Sequence, residues 1–389
     1  MESSITSARD LQKVRIFDLI RGNVSVTRKQ IAERYAIRPS TVSDLVQQLI
    51  EDGFVTEQTV PNNGMQGRPQ ISLYPDNNRL VAVALYFVSM NLKAALINMA
   101  GDVLYEHQIA LASTTGHNQF IEAAGQIVNT LIQEKPKESE LIGCGISFPG
   151  YVNLESQTWV FAARWPQMRN FRVAYVQPRI PVPIRTSQAL DAELEHLLEL
   201  RPHYRIGGTA LVHWGYGIGS SYAYNGSVLL PKVGSFGEIG HVVLPADKPE
   251  LCVCGRRGCI ETRAAIWAIL PKLVGDYPEL RYDERDFARQ LHTHNLERHP
   301  VIHDAIDAFS DALVLLYTIL SPDRIILYGP FIDHPPIFSL LKERLGLKIP
   351  DMFSRLLTVE YLEQELANDS LGATAGFFRD TLSARLRAR

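Results

Sequence analysis

Three of the four cysteines, Cys252, Cys254 and Cys259, fall within the eight-residue segment CVCGRRGC, and His241 stands shortly before it. Three thiolates and one imidazole are the right number and kind of donor for a tetrahedral zinc ion, and Gly255 and Gly258 let the backbone turn tightly around it. The spacing differs from paired CxxC arrangements, so a redox pair or inert thiols are the other readings of the same residues. A zinc ion held by all four would have no open position for an activated water. It would shape a loop and perform no chemistry. Cys144 stands alone, so the set is no disulfide framework, which favours a reducing compartment.

A loop of this kind needs a folded scaffold, and the chain can supply one. At roughly 150 residues per domain, 389 residues hold two or three packed units. Hydrophobic residues at 46% and charged residues at 21% are ordinary globular values and exclude a disordered or collagen-like chain. A net charge of -3 excludes a uniformly basic nucleic-acid wrapper, while a small DNA-reading domain can hide in a nearly neutral total. The start, MESSITSARD, lacks the basic and then apolar segments of a signal peptide, and no apolar run is long enough to span a membrane. The expectation is a cytoplasmic protein with no membrane insertion.

Residues 1–75 read as a winged helix-turn-helix. Leu11, Val14, Ile16, Phe17 and Ile20 recur at helical spacing up to Gly22-Asn23, Thr27 caps a short second helix with Ile31, Ala32 and Tyr35 inward, and Pro39 opens a third. Val42, Leu45, Val46, Leu49 and Ile50 carry that third helix to Asp52-Gly53. Phe54 to Glu57 and Gln70 to Tyr74 then read as two strands around a glycine-containing wing. In this arrangement Arg38, Ser40, Thr41 and Ser43 lie at the exposed start of the third helix, where they can reach phosphates and base edges of double-stranded DNA. Arg68 would sit in the wing, beside the minor groove or backbone. A winged helix that binds protein is the alternative.

From Arg79 the texture is α/β. Leu80 to Val88, Ala94 to Asn98 and Val103 to Leu111 read as strands, Phe120 to Gln133 as a helix and Leu141 to Phe148 as a strand. A similar unit begins near Thr209 to Trp214, with helices at Ile266 to Val274 and Asp304 to Leu320, a strand at Arg324 to Tyr328 and a final helix at Leu371 to Leu386. Two related lobes, 76–187 and 188–389, would leave a cleft for a small molecule. If the zinc loop fixes its surroundings, Glu238 and Glu261 come near that cleft and can accept hydrogen bonds from a polyhydroxylated ligand; otherwise Glu238 caps a turn and Glu261 is solvated. The glycine-rich HWGYGIGSS and GISFPG segments allow close backbone approach, but the first lacks a P-loop lysine.

A winged helix together with GISFPG, GYGIGSS, FGEIGH and CVCGRRGCIE resembles the ROK family of repressors and sugar kinases, and most closely its regulator branch, which contains glucose, N-acetylglucosamine and xylose repressors. The resemblance covers nearly the whole chain. It implies a winged helix joined to two actin-like, ribonuclease-H-like α/β lobes with a zinc-bound loop, assembled as a homodimer or homotetramer. His241, Cys252, Cys254 and Cys259 match the zinc ligands, Glu238, His241 and Glu261 match sugar-contact positions, and Gly67, Arg68 and Pro69 match the wing. The family kinases carry an acidic glycine-rich phosphate loop where this chain reads VAVALYFVSMN, and an Asn-Asp pair where the alignment puts Thr186 and Ser187. A serine hydroxyl cannot stand in for a carboxylate general base. The resemblance therefore implies a regulator with no catalytic residue rather than a kinase, with Ser187 at the effector site. Asp191 is a conceivable replacement for the lost carboxylate, and Arg164 and Arg185 suit an anionic effector such as a phosphorylated sugar or sugar acid. The expected partners are operator DNA and a sugar or sugar-derivative effector, with a phosphotransfer-system protein as the alternative regulator.

Overall fold

A computed structural model describes residues 8–23, 25–60, 70–230, 236–245, 247–349, 357–363 and 369–387. Three helices, α1 (Ala8–Arg21), α2 (Arg28–Tyr35) and α3 (Pro39–Glu51), precede an antiparallel hairpin of β1 (Val55–Val60) and β2 (Gln70–Pro75). A bridge between Val26 and Leu73 ties the start of α2 to the hairpin. The tip of the wing, with Gly67, Arg68 and Pro69, lies outside the described residues. In α1 the buried stripe is Lys13, Ile16, Phe17 and Ile20, while Leu11 is 46% exposed. Those four positions follow the i, i+3, i+4, i+7 spacing of one helix face. The lysine belongs there because its ammonium donates to Asp52 at 2.7 Å, at the end of α3. α2 opens on a reciprocal cap in which Gln30 N–H donates to Thr27 Oγ1 and Thr27 N–H to Gln30 Oε1.

Only four residues separate β2 from the first lobe. There Arg79 donates to the Asp52 carbonyl at 3.1 Å and to the Glu138 carbonyl at 3.3 Å, bridging α3 to the lobe. That lobe contains β3 (Leu80–Val88), β4 (Asn91–Asn98), β5 (Val103–Ala110), α4 (His117–Glu134) and β6 (Glu140–Phe148). A small antiparallel sheet of β7 (Tyr151–Asn153), β8 (Thr158–Phe161) and β9 (Phe171–Arg172) follows, then β10 (Ile184–Gln188) and α5 (Ala189–Leu200). The second lobe contains β11 (Gly208–Trp214), β12 (Ile218–Tyr224), β13 (Ser227–Val228), α6 (Glu261–Ala264), α7 (Ile266–Leu273), α8 (Glu284–His294) and α9 (Pro300–Leu320). β14 (Arg324–Tyr328), α10 (Pro335–Lys348), β15 (Thr358–Tyr361) and the last helix, α11 (Asp369–Arg387), complete the chain. The main sheets run β10-β6-β3-β4-β5 and β13-β12-β11-β14-β15. Each is an antiparallel three-strand meander extended by parallel strands on the far side of its first strand, so the two lobes repeat one topology.

Alternation along β3 decides how the first lobe packs. Val81, Val83 and Leu85 face α4, and Leu80, Ala82, Ala84 and Tyr86 face the opposite side. That second face is covered by α11, which sequence reasoning grouped with the second lobe. α11 packs on β3, β6 and α5 and also touches α1. Its Phe378, Leu382 and Leu386 enter one core with Ile16, Phe17 and Leu49 of the winged helix and Ala82 and Ala84 of β3. Gly372 makes the approach to α5 possible, since a Cβ there would run into the Ala192 carbonyl. Among the described residues no helix is long and apolar enough to cross a membrane.

Candidate functional site

The lobes enclose a cleft of about 400 Å³. Glu261 opens α6 and is buried; Ile218 N–H donates to Oε1 at 2.8 Å and the Trp267 indole to Oε2 at 3.1 Å. Burial pushes its carboxyl up to about 7 against these two hydrogen bonds. His241 lies in the 3₁₀ turn that follows Glu238, with its Nε2 3.8 Å from Glu238 and its Nδ1 3.9 Å from Glu261. All three residues line the cleft. Ser187 does not; Gln188, the next residue, does. Side chains alternate along β10, so one residue decides the face, and Ser187 lies opposite Ser147 of β6 with its hydroxyl buried.

His241, Cys252, Cys254 and Cys259 converge, with one donor atom from each lying within 4.8 Å of all the others. His241 Nδ1 is 3.5 Å from Cys252 Sγ, and Cys254 Sγ is 3.7 Å from Cys259 Sγ. Bonds of about 2.0–2.3 Å to a tetrahedral centre put neighbouring ligands about 3.5 Å apart, so the four residues fit one metal ion. The loop is built for this approach: Cys252 N–H donates to the Arg256 carbonyl at 2.7 Å, and Gly255 takes a left-handed φ of +92°. With Nδ1 toward the cysteines, the Nε2 side of His241 remains toward Glu238. One imidazole thus links the metal-binding loop to the wall of the cleft.

The glycine turn after β11 supports carboxylates. Gly217 runs beside Glu261, and Tyr216 N–H donates to Glu284 Oε1 at 2.6 Å. Glu284, at the start of α8, also accepts from Arg164 of the first lobe. Arg164 is the one candidate anion-binding arginine that lines the cleft; Arg185 pairs with Asp380 of α11 at 2.8 Å. Asp191 is directed at Ser221, whose hydroxyl donates to it at 2.6 Å, and is not part of the cleft lining.

On the winged helix, Arg38, Ser40 and Ser43 are exposed and Thr41 is half-buried, while Val42, Leu45, Val46 and Leu49 face inward. The same outward face carries Asp44 and Gln47, which sequence reasoning passed over. Their signal is the complement of the apolar stripe, the polar positions at i+3, i+4 and i+7 from Ser40. α3 itself contains no lysine or arginine; Arg38 immediately precedes its first turn, and Arg28 of α2 pairs with Glu57 of β1.

These features have counterparts in known proteins. The model of the ROK family matches residues 89–374, and that of the N-terminal DNA-binding domain of iron-dependent repressors matches residues 14–61. The chain is 22% identical over 367 residues to the xylose repressor of Bacillus subtilis (strain 168), covering 94% of this chain and 92% of that one. It is 26% identical over 278 residues to the DNA-binding transcriptional dual regulator NagC of Escherichia coli (strain K12), covering 70% and 66%. The crystal structure of a ROK family transcriptional regulator, a homolog of the E. coli MLC protein, superposes with a TM-score of 0.73 at 16% identity, over 97% of this chain and 98% of that chain. Its topology extends the likeness through the winged helix to both lobes. With the family match spanning the cleft, the cysteine loop and most of both lobes, the chain belongs to the ROK family.

Proposed function

We propose that this chain is a sugar-responsive transcriptional repressor of carbohydrate uptake or catabolism genes, acting in the cytoplasm. The winged helix, residues 1–75, would hold double-stranded operator DNA through Arg38, Ser40, Thr41, Ser43 and Arg68. The lobes, 76–187 and 188–389 with α11 packed back on the first, would hold a sugar or sugar-derivative effector through Glu238, His241 and Glu261, with Gln188 rather than Ser187 on the cleft wall. The observation that carries this reading is the core shared by α1, α3, β3 and α11, which packs the winged helix directly on the lobe whose β3 also lines the cleft. The xylose repressor, similar over 94% of this chain, and NagC, similar over 70% of it, support it.

Zinc is the metal we assign to His241, Cys252, Cys254 and Cys259, since thiolates with one imidazole suit it and four protein ligands make a structural site. When bound, it would hold His241 and the turn bearing Glu238 in place. A homodimer would set two recognition helices on a near-palindromic operator. Effector binding would then change the lobe and helix positions and so the fit to half-site spacing. We assign no phosphoryl transfer. Neither the Ser187 hydroxyl nor the Gln188 amide can act as a general base at neutral pH, and Asp191 is engaged with Ser221.

Selection of genomic DNA fragments by the purified zinc-containing protein, with and without a metabolite mixture, tests the proposal. Enrichment of one or a few near-palindromic sites, altered by the metabolites, is the expected result. No sequence-specific enrichment in either condition would discard it in favour of a module that binds a protein partner.

A further inference from the structure

Five carboxylates line the cleft, those of Glu106, Glu193, Glu238, Glu261 and Glu284, against two permanent cations, Lys93 and Arg164. Both cations are paired. Lys93 donates to Glu106 at 2.9 Å, and Arg164 reaches across from the first lobe to Glu284 of the second. A smaller neighbouring cavity beside His241 carries Arg169 and Arg256. Arg256 is hydrogen-bonded to Cys254, and Arg169 lies 4.9 Å over the Phe161 ring.

The surroundings of Glu284 are those of a bound anion. Its Oε1 accepts from the Tyr216 backbone N–H at 2.6 Å and from the Arg164 guanidinium, and its Oε2 lies 3.6 Å from His213 Nε2. Arg164 is held in turn by the Ser89 carbonyl at 3.2 Å and lies 4.6 Å over the Tyr216 ring. A Cβ at position 215 would come within 2.8 Å of Glu284 Oε1, so the glycine makes room for the carboxylate. A backbone N–H on a glycine turn, a guanidinium and an imidazole converging on two oxygens form a receptor for a phosphate or carboxylate. Here the chain supplies the anion itself. Burial pushes the Glu284 carboxyl up, but Arg164, His213 and the Tyr216 amide outweigh that and hold it well below the usual carboxylate range.

We infer that Glu284 is the resident anion of the cleft and that the effector is accordingly an uncharged sugar, with phosphorylated sugars, sugar acids and nucleotide phosphates excluded. The inference rests on the sugar-effector reading above and reverses the expectation that Arg164 and Arg185 would favour an anionic ligand. The physical reason is asymmetric. A neutral sugar offers hydroxyl donors to Glu238 and Glu261, whereas a ligand anion must either enter a partly desolvated cleft whose lining carries more carboxylates than cations or displace Glu284 from the Tyr216 amide and Arg164.

Isothermal titration of the full-length protein with D-xylose, D-glucose, N-acetylglucosamine, the 6-phosphates of the last two, and gluconate tests this. At least one neutral sugar is expected to bind, and each charged counterpart to bind at least about tenfold more weakly, a difference of about 1.4 kcal/mol. In E284Q, which keeps the shape and removes the charge, the gap between a sugar and its 6-phosphate should narrow by about tenfold, and inorganic phosphate should raise the Tm of E284A but not of the parent. A parent protein that prefers a phosphorylated sugar or acid would overturn the inference and leave the sugar reading intact. Binding of no sugar at all would overturn that reading and the inference with it. An unchanged ratio in folded E284Q would remove Glu284 from the role. The parent titrations decide between neutral and anionic ligands even if neither variant folds.

Discussion

Lys13 occupies a position in α1 that hydropathy would give to an aliphatic residue. It is buried on the same helix face as Ile16 and Phe17 and its ammonium meets Asp52, so burial costs little only while the partner is present. Lys13→Ala should lower the free energy of unfolding by about 3 kcal/mol, and a double-mutant cycle with Asp52→Asn should show a coupling above about 0.5 kcal/mol. Denaturant titration measures both. Asp191 presents the opposite case, with its carboxyl pushed up to about 6 by burial and by Glu195 and Glu238, against the Ser221 hydrogen bond. Between its ordinary 3.8 and about 6 the folded protein binds more protons than the unfolded chain, so stability falls as pH rises through that window. Asp191→Asn should abolish this slope, raising stability at about pH 7.5 by on the order of 2 kcal/mol and leaving it unchanged near pH 4. Equal effects at both pH values would refute the assignment. Neither environment was legible in the sequence. A one-residue register choice sends Gln188 rather than Ser187 into the cleft, and the direction of Asp191 depends on where α5 begins.

At the scale of elements, periodicity located α1, α3, β3, β6 and β14 to within a residue or so, because each buries a regular set of positions, while it began α4 and β4 three residues late. It started α9 at Asp304, four residues late. His299 caps that helix by accepting from Val301 N–H at 3.2 Å, a role histidine seldom advertises. The two- to four-residue strands β7, β8 and β9 have no period to read. The cysteine loop was legible because a donor set is a local chemical fact. Cys254→Ser should reduce bound zinc, measured by elemental analysis, and lower the Tm of the second lobe, since a neutral hydroxyl is a poor replacement for a thiolate. Full zinc occupancy in that variant would strike Cys254 from the ligand set. Phe378→Ala in α11 removes a ring shared with the winged helix and should cost about 3 kcal/mol. If α11 couples the two parts, the same variant should blunt the effector's influence on DNA binding. A destabilised protein with undiminished response would make α11 a support and nothing more.

For the whole molecule the question is how a cleft speaks to a DNA-facing helix. Glu238→Ala should shift the effector concentration for half-response upward by at least about tenfold while leaving effector-free operator affinity within about twofold, read by anisotropy of labelled operator DNA. An unchanged dose response would place the effector contact elsewhere. The sequence by itself determined the order of parts: a three-helix unit with a hairpin, two α/β repeats, and a closed set of three thiolates and one imidazole. Those are short-range properties, written in residue spacing and side-chain chemistry. Only the tertiary structure decided that the last helix returns to the first lobe and joins the winged-helix core, and that Arg164 crosses the cleft to neutralise Glu284, 120 positions away. Such contacts have no local signature, because their free energy depends on desolvation and geometry that arise only when distant segments pack together.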